Sequence, residues 1–320
     1  MRFKYGVRFP CGQPTRRTNS TPTPISIPLS KPLPRPNLDR QSDTQVGREQ
    51  TMGRFEGKVA VITGVTRPGI GEETAAQMVA EGARVTICGR GVEGGQAIER
   101  QLNAIAAENG KGGSAVFVPA DVADFDQVQA VFDKTVERFG KVDILFNNAG
   151  IGSFGETPDV PLDEFKRMFE VDVYGTFYCC KLAIPLMRKV GGGVIVNNAS
   201  ISGIAADNGL HAYNAAKAAV INYTRALAVD HGKDNIRANS VCPGFVVAHN
   251  TQMMLQPEYA HIADQIKARI PIGRLGAAVD IANVVCFLAS DQSAFMTGAT
   301  IVVDGGMTIT TALPDIRSAF

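Results

Sequence analysis

From Lys58 onward, short continuous apolar runs alternate with longer stretches of helical periodicity. The first run, KVAVIT at 58–63, is rich in β-branched residues and unbroken by polar ones, the pattern of a strand buried on both faces. RVTIC (84–88), GSAVFVP (113–119), VDILFN (142–147), GVIVNN (193–198), IRANSV (236–241) and TIVV (300–303) repeat it. Between them the periodicity predicts helices over about 70–81, closed by Gly82, over 92–109, and over 124–139, closed by Gly140. A long helix over 162–189, with Pro185 near its end, and helices over 212–231 and 278–290 complete the set. Strict alternation of such strands and helices predicts a parallel sheet covered on both faces. Right-handed crossovers then give an α/β fold, a doubly wound parallel sheet of Rossmann type. No internal repeat and no second-domain boundary interrupts it.

Residues 1–52 differ. Eight of the chain's 17 prolines lie there, and such a segment cannot bury enough apolar surface to offset its ordering entropy. The expectation is a disordered extension over 1–52 and one globular domain over 53–320. The extension is basic and poor in acids, as targeting peptides are, but its prolines forbid the amphipathic helix such peptides form. Met52 followed at once by GRFEGKVAVITG reads as a natural beginning, so a tail or an upstream-start product is the first expectation and a targeting signal the second.

The whole chain, 320 residues and 45% hydrophobic, suffices for one large α/β domain or two small ones. Formal net charge is +1, but residues 1–54 carry about +7, which leaves a mildly acidic body. That distribution does not point to nucleic acid. Cysteines 11, 88, 179, 180, 242 and 286 show no C-x-x-C and no metal-ligand spacing, and most sit in apolar segments. They read as free thiols in a reducing, cytoplasmic compartment, with no metal and no disulfide framework. No run reaches the ~18 apolar residues of a membrane span.

Candidate chemistry begins at TGVTRPGIG, 63–71, where three glycines are spaced G-x4-G-x-G. The spacing has one residue more than the common glycine fingerprints. Its position, directly after the first strand and opening the first helix, is where backbone N–H groups and the helix dipole favour an anion. Gly64, Arg67, Gly69, Ile70 and Gly71 are therefore candidate phosphate-loop residues, and Pro68-Gly69 is expected to house the extra residue in a type II turn. An acid at the end of the second strand would bond a ribose 2′-hydroxyl. Gly89-Arg90 stands there instead, so a 2′-phosphate is better accommodated and NADP(H) is favoured over NAD(H). Arg67 could assist from the loop. Both arginines also admit a reading as solvated loop residues.

YNAAK, 213–217, places Tyr213 and Lys217 at i and i+4 on one helix face. A free phenol titrates near ~10, and a neighbouring ammonium favours its ionised form. Such a pair can serve as general acid for an alkoxide or base for an alcohol. Ser200 lies at the carboxyl end of the fifth strand, where α/β sheets bind ligands, and its hydroxyl could hold a carbonyl oxygen.

With DV at 121–122, NNAG at 147–150, S-x-x-G at 200–203, YNAAK at 213–217, PG at 243–244 and VDGG at 303–306 following the glycine loop in order, the chain resembles the short-chain dehydrogenase/reductase (SDR) family over about 55–306. The resemblance implies that Ser200, Tyr213 and Lys217 are catalytic. It implies that Asp121 and Val122 meet the adenine, that Asn148, Ala149 and Gly150 line the cofactor, and that Pro243, Gly244 and Val246 flank the nicotinamide. The implied mechanism is direct hydride transfer with Tyr213 moving the proton and Ser200 orienting the oxygen. A homo-oligomer, tetramer or dimer, built on the helices over 162–189 and 212–231, and a small carbonyl or alcohol substrate are the family expectations.

Three positions depart from the family pattern. The glycine loop is longer by one residue. Asp172 stands where an asparagine is usual; its carboxylate, near Lys217, would raise the lysine pKa and tune the proton relay, or it is merely a polar helix residue. Ala248 replaces a threonine that touches the carboxamide, and Thr251 is the candidate substitute. Family analogy also places substrate contacts on 249–274, where Met253, Met254, Leu255 and Tyr259 form either an adaptable lid or one buried helix face. Asp207, Asn208 and His211 precede Tyr213 and would rim the entrance, with a solvent-facing loop residue the first reading of His211. Two other functions compete with an NADP(H)-dependent alcohol dehydrogenase or ketone reductase: a catalytically silent dinucleotide-binding protein, and an NAD-dependent dehydrogenase.

Overall fold

The apolar runs form the sheet expected of them. The computed structural model describes residues 53–311 and residue 317; the N-terminal extension lies outside the described residues. Strands β1 (Val59–Thr63), β2 (Arg84–Gly89), β3 (Ser114–Pro119), β4 (Ile144–Asn147), β5 (Gly193–Asn198) and β6 (Ile236–Pro243) are followed by a short pair, β7 (Val246–Val247) and β8 (Gly276–Ala277), and by β9 (Thr300–Val303). The main sheet has seven strands in the order β3-β2-β1-β4-β5-β6-β9, every neighbouring pair parallel. The order reverses direction between β1 and β4, so the loops after these two strands leave toward opposite faces and open a crevice at their carboxyl ends.

Helices α1 (Ile70–Ala80), α2 (Val92–Asn109), α3 (Phe125–Phe139), α4 (Leu162–Phe169), α5 (Gly175–Lys189), α6 (His211–His231), α7 (Ala260–Ala268) and α8 (Ala278–Ala289) cover the sheet and its edges. Successive side chains of a strand point to opposite faces, so each strand feeds two cores. Ala60 and Ile62 of β1, with Ile144 and Phe146 of β4, join Met78, Leu102 and Val285 of α1, α2 and α8. Val61 and Leu145 face the other way and join Phe132, Cys180 and Leu227 of α3, α5 and α6. This two-sided burial is why the strands read as continuous apolar runs.

Two features were not visible in the periodicity. The helix expected over 162–189 is broken by a π turn at Glu170–Tyr174 that joins α4 to α5. The polar stretch after β6 holds the β7–β8 pair, a 3₁₀ segment at His249–Leu255 and α7. All five cysteines among the described residues are buried and free, and burial pushes Cys88, Cys180 and Cys286 up to about 12, which keeps them as inert thiols. No helix among the described residues is long and apolar enough to cross a membrane.

Gly175, directly after the π turn, is pressed against the strand-end segment expected to meet adenine. A β-carbon there would lie 2.8 Å from Val122 Cγ2 and 3.0 Å from the Val122 carbonyl oxygen. Alanine is the better helix former, but overpacking at so close an approach outweighs propensity. We expect Gly175→Ala to lower stability by about 1–3 kcal/mol, read as a lower urea midpoint at unchanged m-value, and to weaken dinucleotide binding by displacing Val122.

Candidate active site

The crevice at the β1/β4 switch point is a cleft of about 640 Å³. Its walls are the β1–α1 loop from Gly64 to Gly71, the β2–α2 turn from Gly89 to Gly91, Ala120–Val122 after β3, and Asn148–Gly152 after β4, with Phe154, Ala248 and His249 at one side.

Gly64 takes a positive φ of 75°, and a β-carbon on it would lie 2.7 Å from Ala149 Cα. Only glycine lets the β1–α1 loop turn this close to the β4 loop. Pro68-Gly69 does not make the expected type II turn. Such a turn needs φ near ~+80° at its glycine, whereas Gly69 is extended, φ 161° and ψ −163°, and caps α1. The start of the helix decides this: the Gly69 carbonyl accepts the first intrahelical bond, from Glu73 N at 3.0 Å. The extra residue is absorbed in the bend over 66–69, where the Pro68 carbonyl accepts from His249 N at 3.4 Å. Thr66, not singled out from the sequence, packs under the β2–α2 turn against Gly89 and Gly91.

Arg67 and Arg90 are both exposed on this cleft. Neither guanidinium has a hydrogen-bond or ion-pair partner among the described residues. Asp121, by contrast, is engaged. Its carboxylate accepts from Ala123 N at 3.0 Å and pairs with Arg167 of α4, a contact across 46 residues that no motif announced.

The NNAG segment is clipped to the end of β1. Thr63 Oγ1 accepts from both Asn148 N and Ala149 N at 3.0 Å, and Asn148 Nδ2 donates to the Thr63 carbonyl at 2.9 Å. Behind it, Asn147 and Asn197 face each other in the β4–β5 register. Asn147 Nδ2 donates to Asn197 Oδ1 at 2.8 Å, and Asn197 Nδ2 to Thr224 Oγ1 of α6 at 2.9 Å. This buried polar ladder ties both strand ends to the helix that carries Tyr213 and Lys217.

Lys217 is 4% exposed, with its ammonium 5.4 Å from the Tyr213 ring centroid. It donates to the Asn198 carbonyl at the end of β5, 3.0 Å, and forms an ion pair with Asp172 Oδ2, also 3.0 Å. Burial disfavours its charge, but Asp172 and then Tyr213 outweigh burial, and its pKa is raised above the ordinary lysine value. Asp172 lies in the π turn. Its second carboxylate oxygen accepts from Ile151 N at 3.0 Å, and its backbone carbonyl accepts from Thr176 Oγ1 at 2.8 Å. Asp172 thus meets the lysine directly. Gly150 connects this pair to the cleft, since a β-carbon on it would sit 3.2 Å from both Asp172 Oδ2 and Lys217 Nζ.

Ser200 is buried at the carboxyl end of β5, and Tyr213, half-buried, lies in the first turn of α6. Pro243 ends β6, but Gly244 and Val246 line a separate cavity of about 120 Å³ with Arg274 and Asp280, outside the residues bordering the large cleft. Ala248 does border the cleft. Thr251 is spent locally: its hydroxyl donates to the Val246 carbonyl at 2.7 Å and accepts from Ala248 N at 2.9 Å. Its one proton is thereby committed within this loop. Met253 and Leu255 are 43% and 63% exposed, which rules out the buried helix face. Across the site, Gly155 N donates to the Gly209 carbonyl at 2.9 Å, tying the segment after β4 to the approach to α6, with Phe154 81% exposed at the tie.

A parallel sheet whose switch-point crevice opens on a glycine loop is the fold of dinucleotide-binding enzymes. Residues 64–308 match the family profile described as enoyl-(acyl carrier protein) reductase. The chain is 40% identical over 263 residues to meso-2,3-butanediol dehydrogenase of Serratia marcescens, covering 82% of this chain and 99% of that protein. It superposes with a TM-score of 0.75 on a short-chain type dehydrogenase/reductase from Mycobacterium ulcerans, at 29% identity over 83% of this chain and 94% of that one. L-Sorbose reductase from Gluconobacter frateurii, solved with NADPH and L-sorbose, gives 0.75 at 31% identity, covering 81% and 99%. The chain belongs to the short-chain dehydrogenase/reductase family of oxidoreductases.

Removing one partner of a buried ion pair leaves an uncompensated charge. We expect Asp172→Ala to cost about 3–5 kcal/mol by urea denaturation. Asp172→Asn keeps an acceptor for Ile151 N and should cost less, about 1–3 kcal/mol. Equal losses in the two variants would show that the carboxylate charge and the Ile151 bond do not separate.

Proposed function

We propose that the protein is an NADP(H)-dependent alcohol dehydrogenase or ketone reductase that uses Ser200, Tyr213 and Lys217. The observation that carries this reading is the charged Lys217, fixed by Asp172 and the Asn198 carbonyl, beside the Tyr213 ring and next to Gly150 of the cleft wall. The cleft fits a dinucleotide. Its phosphate end offers the N-terminus of α1 and a loop without bulky side chains at Gly64, Gly69 and Gly71, and Arg67 of that loop and Arg90 after β2 line the same cleft without partners among the described residues. When bound, the nicotinamide donates or accepts the hydride.

The chain's own residues do the rest. Gly64, Gly69, Ile70 and Gly71 take the pyrophosphate on backbone N–H groups. Asp121 and Val122 border the adenine, and Asn148–Gly150, clipped to Thr63, hold the floor of the cleft. Tyr213 transfers a proton to or from the substrate oxygen, and Lys217 stabilises its ionised form. Ser200 orients that oxygen. Ala248 leaves the nicotinamide side with one fewer side-chain hydroxyl than the family pattern has, and Pro243, Gly244 and Val246 support that side from behind.

Three observations support NADP(H) over NAD(H): no acid ends β2, Arg90 stands there instead, and Arg67 faces the same cleft without a partner. The NADPH bound to L-sorbose reductase supports it too. The butanediol named for the Serratia enzyme supports a small secondary alcohol and its ketone as the substrate class. The apolar side chains exposed on α4 and α5, Phe165 and Phe177, support a homo-oligomer, tetramer or dimer, and buried thiols suit the cytoplasm.

A panel of small secondary alcohols and ketones, run with both cofactors and followed by nicotinamide absorbance, tests the reaction. We expect Tyr213→Phe to abolish turnover and leave NADPH affinity within about two-fold; retained activity refutes the acid–base role. Arg90→Asp should weaken NADPH by about 10- to 100-fold and NADH far less. Equal weakening of the two overturns the cofactor assignment. Tight NADPH binding without turnover anywhere on the panel favours a silent dinucleotide sensor.

A further inference from the structure

The strip Ala120–Val122 after β3 borders the cleft, and the α4–α5 arm touches it twice from outside. Gly175 of α5 presses on Val122, and Arg167 of α4 pairs with Asp121. The Asp121 carboxylate is thereby anchored at both oxygens. Oδ1 accepts from Ala123 N at 3.0 Å, and Oδ2 accepts from Arg167 Nη2. The backbone is held too, since Asp121 N donates to Gln127 Oε1 at 2.9 Å. Arg167 is not among the residues bordering the cleft. Its other terminal nitrogen, Nη1, donates to Glu170 Oε2 at 3.4 Å, at the start of the π turn.

Ala123 N alone would hold one oxygen. The terminal torsion of an aspartate is soft, so the other oxygen would be free to swing. Arg167 removes that freedom and sets the plane of the carboxylate. A carboxylate has lone pairs and no proton, and each oxygen keeps one lone pair after Ala123 and Arg167 are served. Any group that meets it must be a donor. We infer that Arg167, acting through Asp121, is a positioning residue that aims this carboxylate at the 6-amino group of adenine and so makes the cleft selective for a 6-aminopurine dinucleotide. A 6-oxo purine such as hypoxanthine presents an acceptor at the same place, and a carboxylate fixed at both oxygens cannot turn away from it. This inference rests on the reading that Asp121 borders the adenine and adds how the base is told apart.

Fluorescence titration with NADPH and with its hypoxanthine analogue reads this selectivity without any turnover. For the wild-type protein we expect NADPH to bind about 10-fold more tightly than the analogue. Arg167→Met keeps a long unbranched side chain and removes the charge. It should cut the preference to about three-fold or less, by weakening NADPH. The urea midpoint should hardly move, because a partly exposed ion pair contributes little stability. Arg167→Lys keeps a donor for Asp121 and should restore part of the preference. In an Asp121→Ala background, Arg167→Met should change the preference no further. A wild-type preference that survives Arg167→Met, or equal weakening of both dinucleotides by it, overturns the inference and leaves Arg167 a structural ion pair. A wild-type protein that binds the two dinucleotides equally sinks the underlying reading that Asp121 meets the base.

Discussion

An ammonium buried where water scarcely reaches must be answered by the protein itself. Lys217 is answered twice, by the Asp172 carboxylate and by the Asn198 carbonyl. Much of the local architecture follows from that demand. The strand β5 must end at Asn198 so that its carbonyl faces α6. The helix before it must open into a π turn at Asp172, a distortion frequent at functional sites. Residue 150 must be a glycine, since a side chain there would press on both members of the pair. One charge thereby sets the relative positions of β4, β5, the α4–α5 junction and α6.

The cleft and the proton-handling group are joined through buried polar links and not only through apolar packing. Thr63 grips the β4 loop, and the Asn147–Asn197–Thr224 ladder carries the register of β4 and β5 into α6. Each bond of the ladder restricts the geometry of the strand ends, and Asn147 Oδ1 is a buried acceptor that it leaves unpaired. Ser200, Ser202 and Asp207 continue these polar links outward, and the last of them meets solvent.

The sheet was legible because strands buried on both faces have no room for polar interruption. Tyr213 and Lys217 were legible because i,i+4 spacing puts them on one helix face. What escaped notice depends on contacts that leave no local signature. The π turn adds a residue to one turn without disturbing the apolar pattern on either side of it. Pro68-Gly69 carries a strong turn signal, yet the competing demand to start α1 held Gly69 extended. The pairing of Asp121 with Arg167 and of Ser202 with Asp207 depends on loop paths, which sequence spacing does not encode. The role of Asp172 showed only as a departure from a family pattern, and only coordinates gave it both its partners.

The widened turn at Glu170–Tyr174 sets the rotation of one flanking helix relative to the other. Each residue of a helix advances it by about 100°. Tightening this turn into a regular spiral with every residue kept would swing the whole of Leu162–Phe169 around its axis by that angle. Arg167 would leave Asp121, and the stacked rings of Phe165 and Phe169, 5.2 Å apart, would turn toward a new neighbour. The widened turn is therefore what lets one more residue fit between two helices whose outward contacts fix their rotation.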